Sequence, residues 1–298
     1  MKCLVTGGAG FIGSHLVDKL EEMGAEVSVL DDFSTSDGGH LPSSARLVRG
    51  SVTSPEILRE AAGGMDYVFH TAALPRIQPS FDDPVGHEMV NVVGAIRCLE
   101  ALKGTPVKKF VISSSSACYG TPEKCPTGED APIRCLSPYA LQKYAAEQYS
   151  LILGERFGVP VVALRYFNVY GPRSYNPKNP FNAYSSVIGI FHNRKKEGLP
   201  LLVTGDGEQS RDFVHVYDVA QANIAAALSE KTGRVYNVGT GTSYTVNEIA
   251  ALIGGPVEHV PEREGEARMT LADIGRIRAE LGWEPKISLE EGLNLLDD

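Results

Sequence analysis

Lys2-Cys3-Leu4-Val5-Thr6-Gly7-Gly8-Ala9-Gly10-Phe11-Ile12-Gly13 is the stretch that decides the fold of this 298-residue chain. Residues 2–6 form a short apolar run, and apolar residues recur at helical spacing from Ile12 to Met23 until Gly24 supplies a stop. The pattern predicts a strand, a glycine turn and a helix. The glycines would make the turn, admit a pyrophosphate to the backbone and bring the helix close to the strand. We therefore expect the phosphates of a dinucleotide at the positive end of this helix.

Asp31 follows a second predicted strand, Glu26 to Leu30, and lies eighteen positions after Gly13. A carboxylate at this position can accept a hydrogen bond from an adenosine ribose hydroxyl. It would repel a phosphorylated ribose, so the sequence favours NAD over NADP as the cofactor. The alternative is that Asp31 is only a turn residue beside Asp32.

Tyr139 and Lys143 lie four residues apart behind Ser137-Pro138, and four consecutive serines, Ser113 to Ser116, precede them. Ser137 is predicted to cap a helix that Pro138 opens, which places the phenol and the ammonium on one helical face. Because a nearby cation favours the phenolate, Lys143 is expected to lower the pKa of Tyr139 and make it a general base. The same spacing also occurs by chance in amphipathic helices, so its weight depends on the glycine turn before it.

Strand-like apolar runs alternate with helical stretches along most of the chain. The predicted strands are Tyr67 to His70, Phe110 to Ser113, Val161 to Arg165 and Val235 to Val238, and the predicted helices are residues near 85–102 and 138–157. This alternation predicts an α/β fold with a Rossmann-like, doubly wound parallel sheet. No apolar run approaches the ~20 residues of a membrane span, and the chain start lacks the regions of a signal peptide. A cytoplasmic location is expected.

The composition limits the classes of partner. A formal net charge of −9 argues against nucleic acid and anionic membranes. The five cysteines are odd in number without a paired short spacing, and the seven histidines show no metal-ligand spacing, so neither a disulfide framework nor a metal site is predicted. An anionic nucleotide must then be held locally, by helix ends and individual arginines.

Four motifs together resemble the extended short-chain dehydrogenase/reductase family. They are Thr6 to Gly13, the serines before Tyr119-Gly120, Tyr139-x-x-x-Lys143, and Arg165 to Gly171. The most similar subgroup is the NAD-dependent nucleotide-sugar 4-epimerases that act on UDP-glucose and UDP-N-acetylglucosamine. The match runs in order from residue 2 to about residue 292. It implies bound NAD, a UDP-sugar substrate and a homodimer paired through the Tyr-Lys helix and its neighbour.

The resemblance also implies two domains. Residues 1–168 would form the NAD-binding domain, to which a segment near 213–238 returns. Residues 169–212 and 239–298 would form a smaller, mixed α/β domain that binds the nucleotide sugar. Similar proteins usually continue through a further helix after a position such as Leu293, so the carboxyl terminus is expected to be short or trimmed.

By resemblance, NAD contacts fall in the glycine turn, at the ends of the following strands and beside the serines. They are Gly7, Gly10, Phe11, Ile12, Gly13, Asp31, Asp32, Ser51, Val52, Ala72, Ala73, Asn91, Ser113, Tyr139, Lys143 and Phe167. Two positions depart from the family pattern. Ser51 stands where an aspartate commonly meets the adenine amine. Pro75 stands where some relatives carry a lysine over the nicotinamide, and neighbouring Arg76 either substitutes for that lysine or faces solvent.

The resemblance assigns the substrate to a second set of residues: Ser115, Asn168, Arg211, Arg263, Glu266 and Thr270. Ser115 would hydrogen-bond the reacting oxygen, with Ser114 as a helper, and together with Tyr139 and Lys143 it completes the catalytic set. Asn168, Arg211 and Arg263 would hold the diphosphate, and Glu266 the uridine ribose. The run from Arg194 to Lys196 is interpreted as a solvated helix face without a function.

The reaction type depends on the two residues after Ser115. Related 4,6-dehydratases and decarboxylases carry an acid there, whereas this chain has Ser116-Ala117. We therefore expect oxidation and reduction of C4 only, which is a reversible 4-epimerisation through a transient 4-keto sugar. Thr270 stands where glucose-only epimerases tend to carry a tyrosine, so the N-acetylated pair is expected to be accepted beside UDP-glucose and UDP-galactose. The alternatives are a UDP-glucuronate 4-epimerase, a dehydratase and a non-catalytic NAD-binding protein.

Overall fold

Twelve strands form three sheets in the part of the chain that the computed structural model describes, which is residues 1–175, 186–262, 265 and 267–297. The strands are β1 (Lys2–Thr6), β2 (Glu26–Asp31), β3 (Arg46–Arg49), β4 (Tyr67–His70), β5 (Lys109–Ser115), β6 (Val161–Tyr166), β7 (Asn168–Tyr170), β8 (Leu201–Thr204), β9 (Ser210–His215), β10 (Arg234–Val238), β11 (Ser243–Thr245) and β12 (Val257–Val260).

The main sheet has seven parallel strands in the order β10-β6-β5-β4-β1-β2-β3. The order reverses at β1, because the chain adds β2 and β3 on one side of it and the later strands on the other. In a doubly wound sheet, ligands bind in the crevice at this point, beyond the carboxyl ends of the strands. The predicted fold class, a Rossmann-like doubly wound sheet, is confirmed.

Two smaller sheets lie beside the main one. Strand β9 pairs with β7 in parallel and with β11 in antiparallel orientation, and β8 pairs with β12 in parallel. They share a hydrophobic core of their own, in which Phe191, Val203 and Ile249 are fully buried. The main sheet has a separate apolar cluster on each face, because its strands are buried on both sides.

Eleven α-helices lie between and after these strands within the described residues. They are α1 (Phe11–Glu22), α2 (Pro55–Ala62), α3 (Ile77–Asp82), α4 (Pro84–Glu88), α5 (Gly94–Leu102), α6 (Pro138–Phe157), α7 (Val187–Lys196), α8 (Val216–Leu228), α9 (Val246–Ile253), α10 (Gly275–Leu281) and α11 (Leu289–Asn294).

The predicted strands and the helix over 138–157 are present. The helix predicted near 85–102 is a single helical run in three parts, since the π-helical stretch Met89–Val93 joins α4 to α5. Strand β10 lies at the edge of the main sheet, within the segment expected to return to it. The domain boundaries derived from the resemblance stay a prediction. Among the described helices, none combines the length and apolarity that crossing a bilayer requires.

Candidate functional site

A cavity of about 850 Å³ runs along the carboxyl ends of the central strands. One end is formed by the glycine turn after β1 and the end of β2. The middle is formed by the end of β5 and the start of α6, and the far end by α7, β8 and β9. A groove of this size accommodates a ligand larger than one nucleotide.

Two glycines of the turn, Gly7 and Gly13, have no room for side chains. Gly7 has φ +70, a backbone conformation that side chains disfavour, and a Cβ there would lie 2.6 Å from the backbone of Ala72. A Cβ on Gly13 would lie 2.2 Å from the carbonyl oxygen of Gly7. Helix α1 can therefore begin directly against the end of β1. Its N-cap, Gly10, has no side chain to accept the first N–H groups of the helix, and the cavity opens at that end.

Two carboxylates stand at the end of β2 on the cavity wall. Asp31 accepts hydrogen bonds from the backbone N–H of Ala9 at 2.9 Å and of Phe33 at 2.8 Å. Burial raises the pKa of Asp31, and these two bonds oppose the rise. Asp32 accepts from the N–H of Ser34 at 2.9 Å. Asp31 thus ties the glycine turn to the loop after β2 and has lone pairs left for a ligand in the cavity.

Most residues predicted to contact NAD line the cavity. They are Gly7, Gly10, Phe11, Ile12, Gly13, Asp31, Asp32, Val52, Ala72, Ala73, Ser113, Tyr139, Lys143 and Phe167.

Ser51 and Asn91 are not among the residues that line the cavity. The Ser51 hydroxyl lies 2.9 Å from that of Thr53, within its own turn. Asn91 is buried in the π-helical stretch, where its amide accepts from the N–H of Leu74 at 2.8 Å and donates to the carbonyl oxygen of Leu74 at 3.1 Å. Asn91 therefore holds the loop after β4, and its contact with NAD stays a prediction.

The start of α6 presents Tyr139 to the cavity. The Ser137 hydroxyl accepts the N–H of Ala140 at 3.2 Å and Pro138 is the first helical residue, as predicted. From the neighbouring helix α3, the hydroxyl of Ser80 accepts the N–H of Tyr139 at 3.0 Å. Two helices therefore fix the backbone that carries the phenol.

The pKa of Tyr139 is affected by burial and by two other groups. Burial raises its pKa above the ordinary value, and the groups that oppose the rise are the guanidinium of Arg76 and a hydrogen bond with Ser115. The expected effect of Lys143, one turn along the same face of α6, on the pKa of Tyr139 stays a prediction.

Lys143 lies one turn further along the same face of α6 and lines the cavity. It is only 4% exposed, and burial lowers its pKa to about 8, opposed by the carboxylate of Glu147. Near neutral pH the buried group still carries a proton. It can therefore act as a hydrogen-bond donor inside the groove.

The serines at the end of β5 have separate partners. Ser113 donates to the hydroxyl of Tyr166 at 3.0 Å. Ser114 donates to Glu147 at 2.7 Å, and its role as a helper of Ser115 stays a prediction. Ser115 is the hydroxyl that bonds Tyr139, and it also accepts the N–H of Ala117 at 3.2 Å. One hydroxyl and one phenol thus converge on the same point of the cavity.

A buried ion pair lies behind this point. Glu147 and Arg165 are 0% and 4% exposed in their side chains and are joined by two bonds, at 2.6 and 2.9 Å. Arg165 also donates to the hydroxyl of Tyr119 at 2.8 Å. Although burial opposes it, hydrogen bonding to Glu147 raises the pKa of Arg165. The pair fastens α6 to β6 directly beneath the serines.

The far half of the cavity holds the predicted substrate residues. Asn168, Arg211 and Thr270 line it, and the amide of Asn168 donates to the hydroxyl of Thr270 at 3.1 Å. Arg211 donates to the carbonyl oxygen of Ser210 at 2.9 Å. Arg263 and Glu266 lie outside the described residues.

Sequence reasoning missed part of this half. Helix α7 contributes Val187, Ile190 and Arg194 to the cavity wall, and Arg194, which was interpreted as part of a solvated face, also donates to the carbonyl oxygen of Pro200. No motif marks these positions, and only the helical spacing of 187, 190 and 194 could have indicated a shared face. Arg76 also lines the cavity, and its place over the nicotinamide stays a prediction.

Comparisons with known proteins agree with this geometry. The profile of the NAD-dependent epimerase/dehydratase family matches residues 3–239. A putative UDP-glucose 4-epimerase of Methanocaldococcus jannaschii is 38% identical, over 97% of this chain and 95% of that protein.

Two solved structures superimpose over nearly the whole chain. UDP-glucose 4-epimerase from Thermotoga maritima, crystallised with UDP-glucose, has a TM-score of 0.93 at 38% identity, covering 99% of this chain and 97% of that one. UDP-glucose 4-epimerase from Thermus thermophilus, in complex with NAD, has a TM-score of 0.90 at 36% identity, with the same coverage.

Proposed function

Since this chain belongs to the NAD-dependent epimerase/dehydratase family, as its motifs predicted, we propose that it interconverts UDP-glucose and UDP-galactose by inverting C4 of the hexose. The observation that carries the proposal is the convergence of Ser115 and Tyr139 on one point of a cavity that also holds Lys143 and the glycine turn. The relatives named above as UDP-glucose 4-epimerases support it.

The described residues fit NAD. The glycine turn packs tightly at Gly7 and Gly13, which have no space for a Cβ. Its backbone lines the cavity at the N-terminus of α1, where a pyrophosphate is favoured. Asp31 and Asp32 stand at the adenosine end of the groove, where a ribose 2′-phosphate would meet two negative charges. When bound, NAD supplies the acceptor and the donor of the hydride at C4.

The residues of this chain carry the proton. Tyr139, as phenolate, removes the proton from the 4-hydroxyl while Ser115 hydrogen-bonds the same oxygen, and Tyr139 returns the proton after the flat 4-keto sugar has turned over. Lys143 donates a hydrogen bond inside the groove from its buried ammonium. Because Ser116 and Ala117 provide no acid beside Ser115, water is not eliminated, and the reaction ends with the epimer.

Replacing Tyr139 by phenylalanine tests this assignment. Tyr139→Phe should lower kcat by about 10²–10⁴-fold, because it removes the group that moves the proton, and should leave NAD bound. The measurement is turnover of UDP-galactose with NAD occupancy determined in parallel. Tyr149→Phe, at a tyrosine of the same helix that is 47% exposed, is the matched control and should retain the wild-type rate. Near-normal turnover in Tyr139→Phe would show that another group carries the proton.

We extend the proposed substrates to the N-acetylhexosamine pair. The side chain of Thr270 is small, lines the cavity and bonds Asn168, so a tyrosine there would occupy volume beside the sugar. Thr270→Tyr should abolish turnover of UDP-N-acetylglucosamine and retain that of UDP-glucose, whereas Thr270→Ser, which keeps the hydroxyl, should retain both. If Thr270→Tyr lost turnover of both substrates equally, Thr270 would not be the residue that leaves room for the N-acetyl group. If the protein turned over UDP-glucuronate but not UDP-glucose, UDP-glucuronate would be its substrate instead.

We also propose a cytoplasmic homodimer, as the resemblance implies. Val92 and Leu99 are buried against the sheet of their own chain, but Val85, Leu141 and Ile152 of the same helical run and of α6 are 71%, 57% and 64% exposed. A second copy of this chain packed on these helices would cover them. Ile152→Glu should then convert the dimer to a monomer in analytical ultracentrifugation, and a wild-type protein that sediments as a monomer would contradict the proposal.

A further inference from the structure

Asp212 is a fully buried carboxylate on β9, between two residues that line the cavity. Arg211 and Phe213 line it, and since successive side chains of a strand point to opposite faces, Asp212 points away from it. Asp212 is 0% exposed. A charge in such a place is costly unless it is paired or fully hydrogen-bonded, so its partners indicate what the residue does.

Four donors from two other segments meet this carboxylate. From the loop after β10, the N–H and the hydroxyl of Thr240 donate to Oδ1, both at 2.7 Å, and the N–H of Gly241 donates to Oδ2 at 2.9 Å. From residues 268–272, which we call the Thr270 segment, the N–H of Ala272 donates to Oδ2 at 3.0 Å. Asp212 thus joins β9 to the edge of the main sheet and to the segment that carries Thr270.

The Thr270 segment runs beside β9, and its contacts change in kind at Asp212. First, backbone meets backbone: the N–H of Ser210 donates to the carbonyl oxygen of Arg268 at 3.0 Å, and that of Thr270 donates to the carbonyl oxygen of Ser210 at 3.1 Å. Side chains then take over as acceptors. The N–H of Asp212 donates to the Thr270 hydroxyl at 3.4 Å, and the N–H of Ala272 donates to the Asp212 carboxylate. The carboxylate therefore continues the pairing past Thr270, which lines the cavity.

The same contacts hold other residues of the substrate half of the cavity. The amide of Asn168 donates to the carbonyl oxygen of Asp212 at 3.3 Å and to the Thr270 hydroxyl at 3.1 Å. Arg211 donates to the carbonyl oxygen of Arg268 at 3.3 Å. A shift of the Thr270 segment would therefore displace this wall of the cavity, while the catalytic residues on β5 and α6 would stay in place.

We propose that Asp212 is a positioning residue for the nucleotide sugar, whose buried carboxylate holds the Thr270 segment against β9 and so sets the shape of the substrate half of the cavity. The inference rests on the proposed function and deepens it, because it assigns a part in substrate binding to a residue that points away from the cavity. Without the carboxylate, ground state and transition state should lose the same binding energy, since the groups that move the proton are untouched.

The test is the steady-state kinetics of NAD-loaded Asp212→Asn with UDP-galactose. An amide accepts hydrogen bonds at one of the two oxygen positions only, so the donors at the other position lose their acceptor. KM should rise about 10-fold and kcat should stay within about 2-fold of wild type, because the wall of the substrate half moves and the chemistry does not. NAD occupancy, measured in parallel, should be unchanged.

Asp218 on α8 provides the matched control. It is 4% exposed, and its carboxylate accepts the N–H of Lys286 at 3.1 Å and of Ile287 at 3.0 Å, neither of which lines the cavity. Burial raises the pKa of Asp212 and of Asp218, and backbone N–H groups oppose the rise in both. Asp218→Asn should lower the midpoint of urea denaturation, as Asp212→Asn does, and should leave KM unchanged.

A KM in Asp212→Asn equal to that in Asp218→Asn would overturn the proposal, since the buried carboxylate would then act on stability alone. A lower kcat with an unchanged KM would overturn it too. If Asp212→Asn does not fold, Gly239→Ala replaces it. Its Cβ would lie 2.9 Å from Oδ2 of Asp212 and 2.6 Å from Cβ of Ala272, so it presses on this contact and keeps the carboxylate. KM should rise here as well, and a wild-type KM would contradict the proposal.

Failure of the proposed function can be told apart from failure of this inference. If the wild-type protein turned over no UDP-sugar, the proposed function would fail. Hydrogen exchange of the N–H groups of Thr270 and Ala272 needs no substrate. It should be faster in Asp212→Asn and unchanged in Asp218→Asn, and wild-type exchange in Asp212→Asn would show that the carboxylate does not hold the Thr270 segment.

Discussion

Arg165 lies in the core beneath the serines of β5 and Arg76 lines the cavity, and their charges have different surroundings. Arg165 is 4% exposed and is bonded twice to Glu147, so its charge is neutralised inside the core. Arg76 is half-buried on a strained backbone and faces the cavity, with Tyr139 as its electrostatic partner. The difference indicates that Arg165 stabilises the fold beneath the site, whereas the charge of Arg76 is presented to the cavity.

The largest effect is expected from breaking the neutralised pair. Arg165→Met should lower the free energy of unfolding by about 3–5 kcal/mol, because it leaves the carboxylate of Glu147 buried without its partner. Urea denaturation of the variant and the wild type measures it. The double variant Arg165→Met, Glu147→Met should recover part of the loss, since two apolar groups replace the ion pair.

The control for this prediction is the exposed pair of Arg97 and Glu100, whose side chains are 43% and 45% accessible. Arg97→Met should change stability little, because exposed ion pairs contribute little. If Arg165→Met were as mild as Arg97→Met, the distinction between the two arginine environments would not hold.

An intermediate effect is expected when the charge of Glu147 alone is removed. Burial lowers the pKa of Lys143 to about 8, and the Glu147 carboxylate opposes this. In Glu147→Gln the pKa of Lys143 should fall further, so the alkaline limb of the pH-rate profile should move to lower pH by about 1 unit. If the alkaline limb of this variant matched that of the wild type, the Glu147 carboxylate would not control the pKa of Lys143.

The same shift has a consequence for stability. The folded pKa of Lys143, about 8, lies below the ordinary value of 10.5, so the unfolded chain binds more protons between these values. The contribution of Lys143 to stability should therefore rise as the pH increases from about 8 to 10.5. In Lys143→Met this rise should be absent from the pH dependence of urea denaturation.

The smallest effect, and the opposite sign, is expected at Arg76. Arg76→Gly should raise the free energy of unfolding by about 1 kcal/mol, since the relief of strain exceeds the entropy that glycine gains in the unfolded chain. Thermal unfolding measures the change. A stabilised variant would complete the contrast with Arg165, and a destabilised one would mean that Arg76 supports the fold.

Much of the site could be predicted because its residues are local in sequence. The glycine turn after β1, Asp31 at the end of β2 and the shared face of Tyr139 and Lys143 are each placed by the element that carries them, and the spacing of the residues determines these positions. The cap by Ser137 and Pro138 is of the same kind. For such features, chain geometry and residue type leave few alternatives.

Other features of the site could not be predicted from local sequence spacing. Asn91 has the residue type of a cofactor contact, but the π-helical stretch directs its amide to the backbone of Leu74. The hydroxyl of Ser114 is identical in kind to that of Ser115, and only the nearness of Glu147 distinguishes them. Helix α7 reaches the cavity because of how the small sheets pack on the main one.

The order of residues alone determined the doubly wound sheet, the glycine turn at the helix end and the shared face of Tyr139 and Lys143, because these follow from periodicity and from backbone conformations that few residue types allow. Only the folded molecule decided which residue outside α6 holds the backbone of Tyr139. Such partners are set by distance in space, and Ser80, fifty-nine positions before Tyr139, accepts its N–H only once α3 has packed on α6.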